Sequence, residues 1–271
     1  MPELPEVETT CRGIAPHVLG KAVDAVVVRQ PRLRWRVPRT LKSELPGHTI
    51  VSVTRRGKYL LLGTVVGTVI LHLGMSGSLR VVRAATTPGK YDHVDIVLAN
   101  GDALRLRDPR RFGAVLWTRV DPARHKLLAR LGPDPLGPDF NAEDLYRRSR
   151  GRKRAIRDFL IDGQQVAGLG NIYANESLFQ ARIDPRRAAG RISHKRYKAL
   201  TRAIRVTLRR GIAAGGTTLR DFRDGGGNPG YFQLTLKVYG RAGECCDRCG
   251  HRIRAASLGG RRVFFCSCCQ L

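Results

Sequence analysis

The chain has 271 residues, long enough for two domains of ordinary size, and its 42% hydrophobic content is enough to build a core in each. Its 49 Lys plus Arg against 22 Asp plus Glu leave a formal charge of +27, mostly on Arg, a surface that suits a polyanion and the paired phosphate contacts of a guanidinium. The apolar fraction, the 30 Gly and the lack of a basic low-complexity tail argue against a ribosomal or histone-like packing role; the lack of any apolar run near ~20 residues, or of a signal-peptide pattern, predicts a cytoplasmic, nucleoid-associated location.

In chain order, Leu4, Val7, Cys11 and Ile14 stand at helical spacing over residues 2–17, with Glu3 and Glu6 at the end where the helix dipole favours acid. Such a helix holds Pro2 at its tip. A small residue after the initiator Met is normally the new N-terminus, so Pro2 is expected to carry a free secondary amine, either by accident or as a nucleophile. An α-amino group titrates near ~8 and is partly neutral at physiological pH. Its attack on a sugar C1′ gives an iminium ion, an electron sink that invites elimination.

From about 20 to 120 the pattern turns to short β-rich runs: Val23–Val28, Ile50–Arg55, Tyr59–Leu62, Val69–Leu73, Leu79–Val82, Val94–Leu98, Ala103–Arg107 and Ala114–Thr118. Gly and Pro turns separate them, including the hairpin signal Asn100-Gly101, and eight such strands predict a sandwich or barrel. Residues 122–140, a short helix and a Pro-rich stretch, read as an interdomain linker. Helices follow over Arg152–Ile161, from Asn171 as a cap through Phe179, and over Ser193–Arg210, whose basic face is either solvated or a phosphate contact. Residues 215–232 are Gly-rich and polar and read as a mobile loop.

Six of the seven Cys fall in the last 27 residues. Cys246, Cys249, Cys266 and Cys269 give C-x2-C-x16-C-x2-C, the spacing of a zinc ribbon, in which four thiolates close a structural site. An iron–sulfur centre is the alternative, and Cys245 and Cys268 are read as spectators because their pairings have poorer spacing. Gly168-Leu169-Gly170-Asn171 opens a helix as either an ordinary cap or an anion site, and the Arg and Lys run over 147–157 upstream favours the second. Met75 in its Gly-flanked turn and Phe112 beside Arg110 and Arg111 are either packing residues or wedges that fill the gap left by an extruded base.

Met1 to Glu8, Arg56 to Leu60, His72 to Gly77, Asp108 to Gly113, Gly168 to Glu176 and the terminal ribbon stand in the order seen in bacterial formamidopyrimidine-DNA glycosylases, which the chain resembles end to end. The resemblance implies an α+β architecture: an N-terminal β-sandwich with a leading helix, then a helical domain with a helix-two-turn-helix element and a zinc-ribbon finger. The corresponding boundaries are 1–120, a linker over 121–140, 141–232 with a lesion loop at Thr217–Tyr231, and a finger over 233–271. It further implies that Pro2 attacks C1′ of a flipped, damaged purine nucleotide, with Glu3 protonating the ring oxygen and Glu6 supporting the amine. Lys58 would contact the lesion phosphate and assist β-elimination, and Arg261 would assist δ-elimination. His93, Arg111, Lys153 and Asn171 match positions that contact the DNA backbone, while Met75, Arg110 and Phe112 match the trio that fills the hole opposite cytosine.

The implied cofactor is one structural Zn²⁺, and the implied partner is double-stranded DNA carrying oxidised purines or abasic sites. A monomer without an obligate protein partner is expected. Arg262-Val263 departs from the family, which usually has a small hydroxyl residue followed by Thr, and puts the finger's contacts in question. Two rival readings remain at this level: an endonuclease VIII-like glycosylase for oxidised pyrimidines, and a zinc-ribbon DNA-binding protein without turnover.

Overall fold

The computed structural model describes residues 2–215 and 236–271, so the expected loop, apart from Gly215, lies outside the described residues. The chain divides into two compact units with the boundary at Ala129/Arg130.

The first unit begins with helix α1 (Leu4–Val18). Leu4, Val7, Cys11, Ile14 and Val18 are all buried, the single apolar stripe expected of a helix lying on a core. Pro5 stands in the first turn, where its missing N–H leaves no bond unmade.

Eight strands follow: β1 (Val23–Val28), β2 (Ser52–Arg56), β3 (Tyr59–Gly63), β4 (Thr68–His72), β5 (Ser78–Arg83), β6 (Asp92–Leu98), β7 (Asp102–Arg107) and β8 (Ala114–Thr118). They form two antiparallel sheets, in the orders β1-β6-β7-β5 and β2-β3-β4-β8. Apolar side chains from both sheets and from α1 fill one shared core, which makes this unit a sandwich. The expected strand Ile50–Arg55 starts at Ser52, because the Ile50 N–H bonds to the Lys21 carbonyl before the ladder begins. Helix α2 (Arg39–Glu44) went unforeseen; six residues with one buried Leu carry too little periodicity.

In the second unit, residues 130–140 pack onto the helices around them. The Gly132 N–H bonds to the Gly163 carbonyl, and Arg205 donates to the carbonyls of Pro135, Gly137 and Phe140. The helices are α3 (Ala142–Ser149), α4 (Ile156–Ile161), α5 (Asn171–Gln180) and α6 (His194–Ala213), followed by the hairpin of β9 (Arg254–Leu258) and β10 (Arg261–Phe265). The expected helix from Arg152 starts only at Ile156. Its first residues are drawn into extended bonding with residues 187–189, through an Ala155–Ala188 bridge and the bonds Ile156 N–H to Arg187 and Ala189 N–H to Arg154. Helix α6 passes so close to α5 that a Cβ on Gly211 would sit 2.6 Å from the Tyr173 ring. Among the described residues no helix is long and apolar enough to cross a membrane.

Candidate functional site

In the first unit, the acids following Pro2 are committed to the start of α1. The Glu6 carboxylate accepts the Glu3 N–H at 2.8 Å and the Glu3 side chain accepts the Glu6 N–H, a reciprocal box built from two glutamates. Both are buried, at 2% and 1% exposure, while Pro2 is half-buried. Lys58 sits with Gly57 in the two-residue turn between β2 and β3, where Gly57 takes φ +59. Arg55 ties that turn to α1. It donates to the Glu8 carboxylate at 3.0 Å and to the Gly57 carbonyl at 3.0 Å. Sequence reading assigned no role to Glu8 or Arg55. Cys11 lies in the core with its thiol on the Thr54 carbonyl, and burial together with the Glu8 charge pushes it up to about 12, an inert thiol.

Met75, Arg110, Arg111 and Phe112 are all exposed, on two loops that touch. A Cβ on Gly74, which takes φ +63, would lie 2.5 Å from the Gly113 nitrogen, so only glycine admits this approach. Asp108, fully buried, joins the loops: it accepts from the Ser76 hydroxyl at 3.0 Å, from the Gly113 N–H at 2.7 Å and from the Arg110 N–H at 3.3 Å. The Arg110 guanidinium stacks on the Phe112 ring at 4.8 Å, and Arg111 takes φ +56, unusual for a side chain of its size.

His93 is 7% exposed, with Nε2 2.8 Å from the Asp108 carbonyl, a contact that requires the Nε2–H tautomer. It occupies a bulge in the β6–β7 ladder, between the pairs Asp92–Arg107 and Val94–Leu106, which re-aims its ring. His72 accepts the Gly74 N–H on Nδ1 at 2.9 Å. Burial, with Arg34 and Lys58 nearby, pushes it down to about 4, so the ring is neutral.

In the second unit, Lys153 is exposed in the segment before α4. Asn171, expected as the cap of α5, is its first helical residue. The cap is Gly170, whose extended backbone begins the helix. The Asn171 amide is thereby free to donate to the Arg262 carbonyl at 3.0 Å, and the Asn175 side chain accepts the Phe264 N–H at 2.8 Å, so one face of α5 holds β10. Arg261 is exposed at the start of β10, after the turn Gly259-Gly260. Beneath that turn Arg157, fully buried, pairs with Asp158 at 3.0 Å and donates to the Leu258 carbonyl. Arg262 uses only its carbonyl inward while its guanidinium lies over Phe264, and Val263 is buried, so the unusual pair leaves Arg261 at the strand start.

The sulfurs of Cys246, Cys249, Cys266 and Cys269 all lie within 4.8 Å of one another, with 249–266 at 3.4 Å and 246–269 at 4.0 Å. These separations bracket the ~3.8 Å edge of a tetrahedron with metal–sulfur bonds of ~2.3 Å. The cluster could hold a metal ion. Glu176, 6% exposed, secures the chain entering it by accepting the N–H groups of Lys237, Val238 and Tyr239, each at 2.9 Å. Gln270 accepts the Cys266 N–H and donates to the Ile183 carbonyl. Neither role was assigned from sequence, where Glu176 is visible only as the sole acid of α5 and its burial is not.

Residues 1–115 match the formamidopyrimidine-DNA glycosylase N-terminal domain family, and residues 131–223 match the formamidopyrimidine-DNA glycosylase H2TH domain family. The chain belongs to the formamidopyrimidine-DNA glycosylase family. A formamidopyrimidine-DNA glycosylase from Syntrophotalea carbinolica is 56% identical over 270 residues, covering both chains completely. Two solved Lactococcus lactis Fpg structures, each 32% identical and covering 99% of both chains, superpose with TM-scores of 0.90 and 0.89. One is a mutant in complex with Fapy-dG-containing DNA, the other a complex with DNA containing an abasic site. Within the formamidopyrimidine-DNA glycosylase family, then, this chain keeps the α+β plan of β-sandwich, helical unit and terminal cysteine cluster.

Proposed function

We propose that this chain is a bifunctional DNA glycosylase and abasic-site lyase that excises oxidised purines, 8-oxoguanine and formamidopyrimidines, from duplex DNA. The observation that carries the reading is the tip of α1: Pro2 is followed by two buried glutamates that the fold spends on holding that tip, beside a lysine-bearing turn that Arg55 ties to the same helix. Family membership, with relatives solved on Fapy-dG and abasic DNA, supports the substrate class.

With Met1 removed, the Pro2 nitrogen attacks C1′ of the extruded nucleotide and the glycosidic bond breaks, the base leaving with its electron pair and a proton. Glu3 protonates the ring oxygen as the sugar opens to an iminium, and Glu6 supports the amine. The iminium acidifies C2′; loss of that proton, assisted by Lys58, expels the 3′ phosphate, and a second elimination assisted by Arg261 expels the 5′ phosphate. Met75, Arg110 and Phe112 fill the vacated stack and face the opposite cytosine, which offsets the few kcal/mol that flipping costs. Arg111, Lys153 and Asn171 hold the backbone, with His93 presenting only the edge of its ring.

Cys246, Cys249, Cys266 and Cys269 would hold one Zn²⁺, which when bound supplies fold stability, since four thiolates leave no position for a reacting water. The protein acts as a monomer on DNA in the bacterial cytoplasm.

Borohydride trapping on duplex DNA with one 8-oxoguanine opposite cytosine tests the reading, with the N-terminal mass recorded and Pro2→Gly alongside. A covalent adduct from the Met-free protein, much reduced in the variant, is expected. No adduct on this DNA or on abasic DNA, from Met-free protein that binds the duplex, would leave a DNA-binding protein without turnover; trapping only on oxidised pyrimidines would shift the substrate class.

A further inference from the structure

The cysteine tetrad accounts for four of the six C-terminal thiols and leaves Cys245 and Cys268, both exposed. Cys268 is not isolated. Its sulfur, the Cys249 sulfur and a ring nitrogen of His251 lie within 4.8 Å of one another, so Cys249 belongs to two ligand sets at once. We propose that this solvent-facing edge of the finger is a second metal site, for a thiophilic divalent cation of the Zn²⁺ or Cd²⁺ class. The Cys249 thiolate bridges the two ions, and Cys268 and His251 serve as terminal ligands.

The donor chemistry fits. A thiolate that binds one ion keeps lone pairs for another, and a second thiolate with a neutral imidazole is a set that such borderline-soft cations prefer. With metal–sulfur bonds of ~2.3 Å and metal–nitrogen bonds of ~2.0 Å, ligand atoms sit about 3.5–4 Å apart, so the trio needs only a small closure. Both terminal ligands are exposed, so the set is open, with water completing the coordination.

Charge sets the rank order. A tetrad of four thiolates around one divalent ion keeps a net negative charge that attracts another cation. Cys268 and Cys269, however, also line a cavity of about 420 Å³ with Arg182, Arg196 and Arg248, whose guanidiniums offset that charge. The outer site is therefore the weaker of the two. Occupying it displaces one proton from the Cys268 thiol to solvent as the metal–sulfur bond forms.

The proposal rests on the zinc reading of the tetrad, and the experiment separates the two. Full-length protein is titrated with Zn²⁺ and the bound ions are counted by native mass spectrometry, beside Cys268→Ser, His251→Ala and Cys245→Ser. Two ions in the wild type and in Cys245→Ser, and one in each of the other variants, are expected, the retained ion reporting that the finger still folds. In the cadmium-loaded protein the shared sulfur should couple the two cadmium resonances. A wild type that saturates at one ion, variants that still hold two, or two uncoupled cadmium signals would overturn the bridged site and leave the tetrad standing. A wild type that binds none would overturn both.

Discussion

Protonating His72 would require a charge to form in a half-buried, poorly solvated position beside Arg34 and Lys58, and would remove the Nδ1 lone pair that the Gly74 N–H occupies. The folded ring therefore titrates near 4, whereas in the unfolded chain an imidazole titrates near ~6.5. Between those values the unfolded chain binds a proton that the native state refuses. Stability from this residue is complete above pH ~6.5 and is lost as the pH falls toward 4, by about 2–3 kcal/mol at most. Urea midpoints measured from pH 7.5 down to 4.5 should show it: His72→Gln, which keeps an acceptor for Gly74 but does not titrate, should lose distinctly less stability over that range than the wild type. Equal slopes would mean that the ring charges without cost. Asp108 acts at the same scale from the other loop. Removing a buried acceptor of three hydrogen bonds strands the Gly113 N–H and the Ser76 hydroxyl, and it is these bonds that join the loop carrying Met75 to the loop carrying Phe112.

At the scale of elements, the finger depends on a helix that lies before it in the chain. Glu176 on α5 gathers three successive N–H groups at the entrance to the finger, and Asn171 and Asn175 on the same helix hold β10. Glu176→Ala takes the acceptor from those donors, of which the Val238 N–H is buried, so an ion held by the tetrad should leave the finger roughly 10–100 times faster, as when a supporting residue behind a metal ligand is lost. Release into a chromophoric chelator measures it; an unchanged rate would show that the ribbon is self-supporting. The legibility of these elements from sequence follows the same physics. Strands β1 to β8 were readable because alternation and turn residues are local signals, and the tetrad because ligand spacing is local too. Helix α3, two turns with Leu145 as its buried apolar residue, was not singled out. The early start predicted for α4 and the cap predicted at Asn171 were wrong because partners elsewhere in the fold decide them: residues 187–189 claim the backbone before Ile156, and β10 claims the Asn171 amide. Lys58 and the trio Met75, Arg110 and Phe112 were named by resemblance, whereas Arg55 lies outside the matching motifs, and Glu8, Asp108 and Glu176, though inside them, show what they bond only once the fold is seen.

The charge of the whole molecule, +27, is far larger than any one contact needs. Each phosphate that a basic side chain neutralises releases condensed counterions, so affinity for duplex DNA should fall steeply with salt, by roughly 10³–10⁵ between 50 and 200 mM if about 6–10 phosphates are engaged. Two exposed residues of equal charge should then behave differently. Lys153, exposed on the second unit, adds to that field. Lys153→Ala should weaken binding to every duplex alike and lower the slope of log affinity against log salt by about one. Arg110, stacked on Phe112 and tied through its backbone to Asp108, presents a fixed guanidinium. Arg110→Ala should leave the slope nearly unchanged and instead shrink the preference for cytosine opposite the lesion. Binding isotherms across a salt series, on duplexes that differ only in the opposite base, resolve the two effects. If both substitutions move only the slope, the loops of the sandwich are phosphate contacts like the rest of the basic surface, and the wedge reading of Met75, Arg110 and Phe112 fails.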